Sequence, residues 1–232
     1  MGAARSENTM TQWTSGLYKL TTFSRFYENS QALLGPQRVR RTFVDQIAQP
    51  QPGMRILDVG CGPGGLMPYL PAVDYVGFDL NPKHIAYAQK KYGDRGQFFH
   101  GDAVKDLPTS EAGSFDLVVV SGLLHHLTDA HSINLLKGLC GLTRREGRIA
   151  TLDQVWLPRQ HPVAKLLNWL DAGRNVRTPE GYRRLAESIG VDIEGHIYRN
   201  LLRVPYDYYC MKLTKRAALV DSHNTADRRT DR

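Results

Sequence analysis

The chain has 232 residues, of which 41% are hydrophobic, and a formal net charge of +7. This length suffices for one α/β domain with a sizeable core, and no run approaches the ~18 apolar residues of a membrane span. Residues 51–198 hold sixteen basic and sixteen acidic residues, so the positive excess lies at the two ends. Nucleic-acid enzymes usually carry a basic stripe beside the pocket, so we expect no nucleic-acid partner, and the lack of a long apolar run argues against a membrane partner.

The first part of the chain is predicted to form a cap. Residues 1–36 are rich in aromatic and polar residues, and we predict a flexible N-terminus followed by short helices that Gly35 and Pro36 end. Tyr18 and Tyr27 are candidates to contact the substrate, with ordinary helix packing as the alternative.

A helix is predicted over residues 37–49, because their apolar residues recur with the helical period. This helix opens the main domain, residues 37–214. Residues 215–232 are too polar to pack and are predicted to form a disordered tail.

A glycine loop follows the first predicted strand, residues 55–59. The strand carries one acid, Asp58, and breaks at Gly60 and Gly62. Glycine lacks Cβ and tolerates positive φ, so the main-chain N–H groups of such a loop can approach adenosine or phosphate closely. The pattern therefore indicates a site for a nucleoside-bearing cofactor.

Two further acids end the next two predicted strands. Asp79 follows an apolar run twenty-one residues after Asp58, at the distance suited to binding two ribose hydroxyls. Asp102 follows the strand predicted over residues 97–100 and suits the exocyclic amine of adenine.

The glycine spacing alone leaves two cofactors open. Gly60, Gly62 and Gly65 also satisfy the dinucleotide fingerprint, which would make the chain an NAD-dependent oxidoreductase. Asp58 would then oppose a pyrophosphate of like charge. A carboxylate in that place better suits a ligand with a cationic end, such as S-adenosylmethionine.

Two histidines follow the predicted central strand, residues 115–120, and a predicted helix begins near Asp129. Sites in such sheets lie beyond the carboxyl ends of the strands, and histidine is suited to act as a base there. His125 and His126 are therefore the catalytic candidates. The sequence has no second cluster of possible metal ligands to complete a site with these histidines, so we expect no metal. Gly147 is predicted to form a turn.

The strand predicted over residues 148–153 ends at Asp153, which is a candidate for the rim of the pocket. A helix from Pro162 to Ala172 follows, and its predicted apolar face consists of Val163, Leu166, Leu167 and Leu170. Arg177, before the next helix, is a candidate to bind an acidic substrate, with a solvated surface charge as the alternative.

Three cysteines, Cys61, Cys140 and Cys210, are widely separated and odd in number. They match no metal-binding spacing and no disulfide framework, which is typical of a reducing compartment. Because a signal-peptide segment is also lacking, we expect a cytoplasmic protein.

Four segments, ILDVGCGPGG, GFDLNPKHIAYAQ, FHGDAVKDLP and FDLVVVSGLLHHL, resemble the successive motifs of class I S-adenosylmethionine-dependent methyltransferases. The resemblance implies a Rossmann-like, seven-stranded, mostly parallel sheet with the last strand antiparallel, helices on both faces, and a lid near residues 156–190. It places His125 nearer the methyl group and His126 toward the following helix. Pro68 departs from the family by shortening the helix after the glycine loop. The cofactor-binding residues that it implies are Asp58, Gly60, Cys61, Gly62, Asp79, Leu80, Asp102, Ala103 and Ser121.

The expected activity is methyl transfer from S-adenosylmethionine to a small-molecule acceptor, on oxygen first. The segment after the central strand lacks the Asn/Asp-Pro-Pro-Tyr motif that holds a flipped base, and no cysteine takes the place of a cytosine-attacking nucleophile. An RNA methyltransferase, the NAD-dependent oxidoreductase and a non-catalytic binding subunit remain the alternatives. A monomer or a homodimer is expected.

Overall fold

The computed structural model describes residues 35–170 and 175–216 of the chain. Tyr18 and Tyr27, nearly all of the predicted cap and nearly all of the predicted tail lie outside the described residues, so these predictions stay predictions.

A seven-stranded sheet forms the centre of the described chain. Its strands are β1 Arg55–Val59, β2 Asp74–Asp79, β3 Gln97–His100, β4 Phe115–Ser121, β5 Thr143–Gln154, β6 Val191–Arg199 and β7 Asp207–Lys215. They lie in the order β3-β2-β1-β4-β5-β7-β6. The first five are parallel, whereas β7 runs antiparallel between β5 and β6. The predicted sheet, with its last strand antiparallel, is confirmed.

Helices cover both faces of the sheet. They are α1 Pro36–Phe43, α2 Pro82–Tyr92, α3 Asp129–Leu142, α4 Pro162–Leu170 and α5 Pro179–Glu187, and α1 continues as a π-helical turn over Val44–Ala48. One apolar core contains α1 and α2, and the other contains α3 and α5. Strand β4 is buried between the two cores, as expected for a central parallel strand.

Side-chain caps explain where three helices begin. The side chains of Asn81, Thr128 and Thr178 accept hydrogen bonds from main-chain N–H groups in the first turns of α2, α3 and α5. Each cap satisfies an N–H group that has no partner within its helix. After the glycine loop only a 3₁₀ turn forms, over Met67–Tyr69. Pro68 lies within it and lacks the N–H group that a longer helix would need.

Arg148, near the amino end of the parallel part of β5, fixes the direction of α1. Its guanidinium donates to the main-chain oxygens of Ala48, at 2.6 and 3.0 Å, and Gln49, at 2.5 Å. The end of the α1 helical segment is therefore held at the amino edge of the sheet. Its start, at Pro36, consequently lies toward the carboxyl edge, where the site is predicted.

The prediction of a turn at Gly147 was wrong. Strand β5 begins at Thr143 and continues through Gly147, and its register with β4 shifts between the Phe115–Thr143 and Leu117–Arg148 pairs. The additional β5 residues form an irregular, bulged segment. A Cβ at Gly147 would lie 2.9 Å from the main-chain oxygen of Asp116, so the bulge has no room for a side chain.

Helix α4 forms with the predicted apolar stripe, but most of this stripe is not buried among the described residues. Val163, Leu166 and Leu170 are exposed, whereas Ala164 and Asn168 are buried. The Asn168 amide donates to the main-chain oxygen of Val155 at 2.9 Å. The side of α4 that carries Ala164 and Asn168 therefore faces the sheet.

Replacement of Gly147 by alanine should lower the free energy of unfolding by about 1–3 kcal/mol, because the new methyl group would overlap two carbonyl oxygens of β4. Gly141→Ala is the matched control, since a Cβ there meets nothing within 4 Å and alanine favours the helix. Urea unfolding measures both variants. Equal stability of the two would contradict the tight bulge.

Candidate functional site

The glycine loop is tied to the end of strand β2. The N–H groups of Gly60 and Cys61 both donate to the main-chain oxygen of Phe78, at 2.7 and 3.1 Å. Gly60 and Gly62 have φ values of 79° and 55°. A Cβ at Gly62 would meet nothing within 4 Å, so this glycine borders open space. The loop thus presents bare main chain on its outer side.

Asp79 connects β2 to this loop. Its carboxylate accepts hydrogen bonds from the N–H groups of Gly62 and Asn81, both at 2.8 Å, and its Oδ1 lies 3.4 Å from Nδ1 of His84. Burial raises the pKa of Asp79, but these partners lower it more, so the net pKa lies below the usual value. Asp79 is therefore an ionised acceptor, and its oxygens keep capacity for further donors.

Asp58 lies inside β1 and is almost fully buried. Its Oδ2 accepts a hydrogen bond of 2.7 Å from the hydroxyl of Tyr75, whereas its Oδ1 has no partner among the described residues. Burial raises its pKa to about 7, the Tyr75 hydrogen bond opposes this rise, and the charge of Asp79 adds to it. A buried carboxylate oxygen without a partner is costly, and a cationic group could satisfy it.

The remaining predicted cofactor residues lie at the carboxyl edge of the same sheet. Leu80 directly follows β2 and is exposed, and Ser121 is the last residue of β4. Asp102 and the partly buried Ala103 follow β3, and Oδ1 of Asp102 accepts the N–H group of Val104 at 2.9 Å. The structure therefore brings these positions, the glycine loop and Asp79 to one edge.

Cys61 differs from its neighbours in the loop because its side chain points into the protein. The thiol is buried, and its Sγ would lie 3.0 Å from a Cβ on Gly77. Burial raises the pKa of the thiol, and the charges of Asp58 and Asp79 add to this effect. The Cys61 side chain is therefore part of the core.

The two histidines lie in a 3₁₀ turn, Leu124–His126, that follows β4, and their environments are opposite. His125 is buried and only 2% exposed, whereas His126 is exposed. Their rings lie 4.0 Å apart between centroids. Of the two, His125 is the residue that the fold holds in a defined position.

Asp153 determines that position. Its Oδ1 lies 2.8 Å from Nδ1 of His125 and also accepts the main-chain N–H group of His125 at 3.2 Å. Burial raises the pKa of Asp153, although the bonds to His125 and the charge of Arg177 oppose the rise. Because Oδ1 accepts from the main chain, Nδ1 donates to it when the carboxylate is ionised. His125 then has Nε2 as its basic nitrogen.

Asp153 was predicted only as a residue of the pocket rim, and its pairing with His125 was not predicted. The pairing depends on the sheet order, because β4 and β5 are parallel neighbours with Ser121 opposite Leu152. An acid that follows Leu152 therefore lies close to a residue that follows Ser121.

Arg177 was a candidate to bind an acidic substrate, with a solvated surface charge as the alternative, and the structure favours neither, because its side chain is only 9% exposed and is fully bonded. Its five N–H donors are directed to the main-chain oxygens of Leu124, Leu127 and Asn175 and to the Asp129 carboxylate, at 2.7–2.9 Å. No donor remains for a substrate, so we revise that prediction. Arg177 instead braces the turn that carries His125.

The comparisons with known proteins agree on one family. The methyltransferase domain profile matches residues 56–147. Aklanonic acid methyltransferase DauC of Streptomyces sp. (strain C5) is 34% identical over 187 residues, which cover 64% of this chain and 83% of the relative. The chain belongs to the class I S-adenosylmethionine-dependent methyltransferase family. This membership decides against the alternative of an NAD-dependent oxidoreductase.

A second curated relative and a solved structure are also similar to this chain. The ubiquinone biosynthesis O-methyltransferase of Bordetella avium (strain 197N) is 31% identical over 100 residues, which are 41% of each chain. A TehB-like S-adenosylmethionine-dependent methyltransferase structure from Corynebacterium glutamicum aligns with a TM-score of 0.62 at 22% identity, over 86% of this chain and 99% of that one. The chain spans about a third to a half of the length of several curated relatives that it matches.

The described residues contain neither a membrane-spanning helix nor a cluster of possible metal ligands. None of the helices in residues 35–170 and 175–216 is both long and apolar enough to cross a membrane. Within the same ranges, no three His, Cys, Asp or Glu side chains form a group that could hold a metal ion.

Arg177→Lys should loosen the turn that carries His125, because lysine keeps the charge but cannot reach all of the carbonyl oxygens that the planar fork reaches. We expect faster hydrogen exchange in residues 123–128 and a free energy of unfolding lower by about 1–3 kcal/mol. Arg184→Lys, at an exposed arginine of α5, is the control. Unchanged exchange in the turn would show that Arg177 does not hold it.

Proposed function

We propose that this methyltransferase binds S-adenosylmethionine and transfers its methyl group to an oxygen atom of a small-molecule acceptor. One observation carries the proposal. The carboxyl edge of the sheet holds the glycine loop bonded to Asp79 on one side and the His125–Asp153 pair on the other. We therefore assign both groups to one proposed site, in which the loop would hold the cofactor and His125 would serve as the base for transfer to oxygen.

The residues of the loop fit the cofactor. Asp79 is the proposed partner of the ribose hydroxyls, because it is ionised and keeps acceptor capacity. The unpartnered Oδ1 of Asp58 suits a cationic group. Exposed Leu80 offers an apolar surface for adenine, and Asp102 with Ala103 lies beside it in the proposed site.

When bound, S-adenosylmethionine supplies a methyl group that its sulfonium already activates. The protein's main tasks are then to align the acceptor and to exclude water. His125 is the proposed general base, which takes the proton from the acceptor hydroxyl at Nε2. Asp153 holds the ring through Nδ1 and balances the charge that the ring gains. The proton thus moves from the acceptor oxygen to Nε2.

The acceptor is proposed to be a small molecule. Relatives carry the names ubiquinone biosynthesis O-methyltransferase and aklanonic acid methyltransferase, which denote small acceptors. The region between β5 and β6 contains α4 and α5, and we propose that this part of residues 156–190 is the lid of the acceptor site. The single domain over residues 37–214 and the cytoplasmic location are parts of the same proposal.

Calorimetric titration with S-adenosylmethionine and S-adenosylhomocysteine, followed by transfer of a labelled methyl group to a panel of phenols, quinols and polyketide acids, tests the proposed function. Micromolar binding of both nucleosides and label in one of the small acceptors would support it. Label that enters total RNA and disappears after ribonuclease treatment would favour the RNA alternative. Absence of binding to either nucleoside would refute the proposal.

The affinity for S-adenosylmethionine should fall when the pH is lowered from 8 to 5.5. Burial raises the pKa of Asp58 to about 7, so the carboxyl becomes neutral in this range and loses its attraction for a cation. The loss should approach about tenfold for each pH unit below 7. Calorimetry of the protein and of its Asp58→Asn variant measures it, and the variant should give the flatter profile. Parallel profiles would contradict the role of Asp58.

The raised pKa of Asp58 also makes the free energy of unfolding depend on pH. In the folded chain Asp58 holds its proton more tightly than in the unfolded chain, whose ordinary value is 3.8. Its contribution to the free energy of unfolding is therefore complete below pH 4 and is lost as the pH rises through 7. Asp58→Asn should remove this part of the pH dependence in urea unfolding measured between pH 4 and 8.

Asp153→Asn and His125→Ala should each lower the rate of methyl transfer on the order of 100-fold, because the first disturbs the orientation of the base and the second removes it. The affinity for S-adenosylmethionine should change less than twofold, since neither residue lies in the glycine loop. His126→Ala provides the comparison. A large loss in His126→Ala together with full activity in His125→Ala would reverse the assignment of the base.

A further inference from the structure

The outer side of α4 is an apolar surface with no cover among the described residues. Along one stripe of the helix, Val163 is 40% exposed, Leu166 and Leu170 are each 53% exposed, and Trp169 is 75% exposed. We call these four residues the α4 face. Their spacing of three or four residues places them on one side of the helix. A tryptophan exposed to this extent within an apolar stripe is typical of a surface that another segment covers.

The α4 face lies at the carboxyl edge of the sheet. Both Gln160, which precedes α4, and Asn168 within it donate to the main-chain oxygen of Val155, at 2.9 Å. Val155 follows directly on β5, two residues after Asp153. The helix is therefore anchored beside the His125–Asp153 pair, and its apolar stripe points away from this anchor.

The described chain begins at the same edge. A Cβ on Gly35 would lie 3.5 Å from the side chain of Arg203, which belongs to the connection between β6 and β7. That connection leads to Asp207, whose main-chain oxygen accepts the N–H group of Val155 at 3.3 Å. The entry of the chain at Gly35 and the anchor of α4 thus both adjoin the start of β7.

The sequence that precedes Gly35 has the composition to cover such a face. Residues 11–34 include nine large apolar or aromatic side chains, namely Trp13, Leu17, Tyr18, Leu20, Phe23, Phe26, Tyr27, Leu33 and Leu34. A stretch of 24 residues can extend up to ~80 Å, so the α4 face lies well within its reach. Contact between this segment and the α4 face would remove the apolar side chains of both from water, which is favourable.

We propose that residues 11–34 dock on the α4 face of the same chain. The aromatic side chains of this segment pack against Leu166 and Trp169. This contact is a property of the chain by itself. It does not depend on the identity of cofactor or acceptor.

Hydrogen exchange of the full chain tests the proposal, with a Leu166→Ser, Trp169→Ser double variant as the perturbation. Both residues are exposed on α4, so the fold should survive, and unchanged exchange in β1 and β4 would verify this. We expect protection within residues 11–34 and at least tenfold faster exchange there in the variant. Ile197→Ser, an exposed apolar residue of edge strand β6, is the matched control and should change nothing in this segment.

Two results would overturn the proposal. One is a segment 11–34 that exchanges at the same rate in the protein and in the double variant. The other is a dimer, seen by sedimentation velocity, that the double variant converts to monomers while exchange in residues 11–34 stays constant, because a second copy would then cover the α4 face. Neither measurement requires methyl transfer, so failure of the proposed function would not affect them.

Discussion

The parallel pairing of β1 with both β2 and β4 is the constraint on which the site depends. Parallel strands end at the same edge, so residues far apart in the chain come together there without further interactions. The hydrogen bond from the Gly62 N–H group to Asp79 then joins two of these ends. The bond from His125 to Asp153 joins the ends of β4 and β5 in the same way. The sheet brings these residues close together, and single hydrogen bonds orient their side chains.

Much of this arrangement could be predicted because its signals are local. Three features can be recognised from a few neighbouring residues. They are the strand that breaks into glycines at Gly60, the acid at the end of the next strand, and Asn81 before Pro82. The sheet order with an antiparallel last strand came from the resemblance to a family, since strand periodicity does not specify which strands are neighbours. Assignment of the cofactor-binding roles to individual residues rests on the same resemblance.

The errors share a physical cause, which is competition from partners distant in sequence. Gly147 resembles a turn residue locally, but the carbonyl oxygens of β4 determine that it lies within a bulged strand. The leucines of α4 predict an apolar stripe but not its exposure, because the side of the helix that bonds to Val155 through Asn168 is the opposite one. Arg177 has the charge to bind a substrate, and the main-chain oxygens around His125 take up its donors instead. Hydrophobic periodicity and residue type do not reveal contacts with residues that are distant in the sequence.

The buried thiol in the glycine loop has a chemical consequence of its own. A sulfonium cofactor is an alkylating agent, and a thiolate at its side would be the strongest nucleophile in the pocket. Cys61 lies within the loop, but its side chain is turned into the core, and desolvation raises its pKa. The sulfur is thus kept protonated and sterically shielded. A cysteine can therefore occupy this position in the loop without presenting a thiolate to solvent.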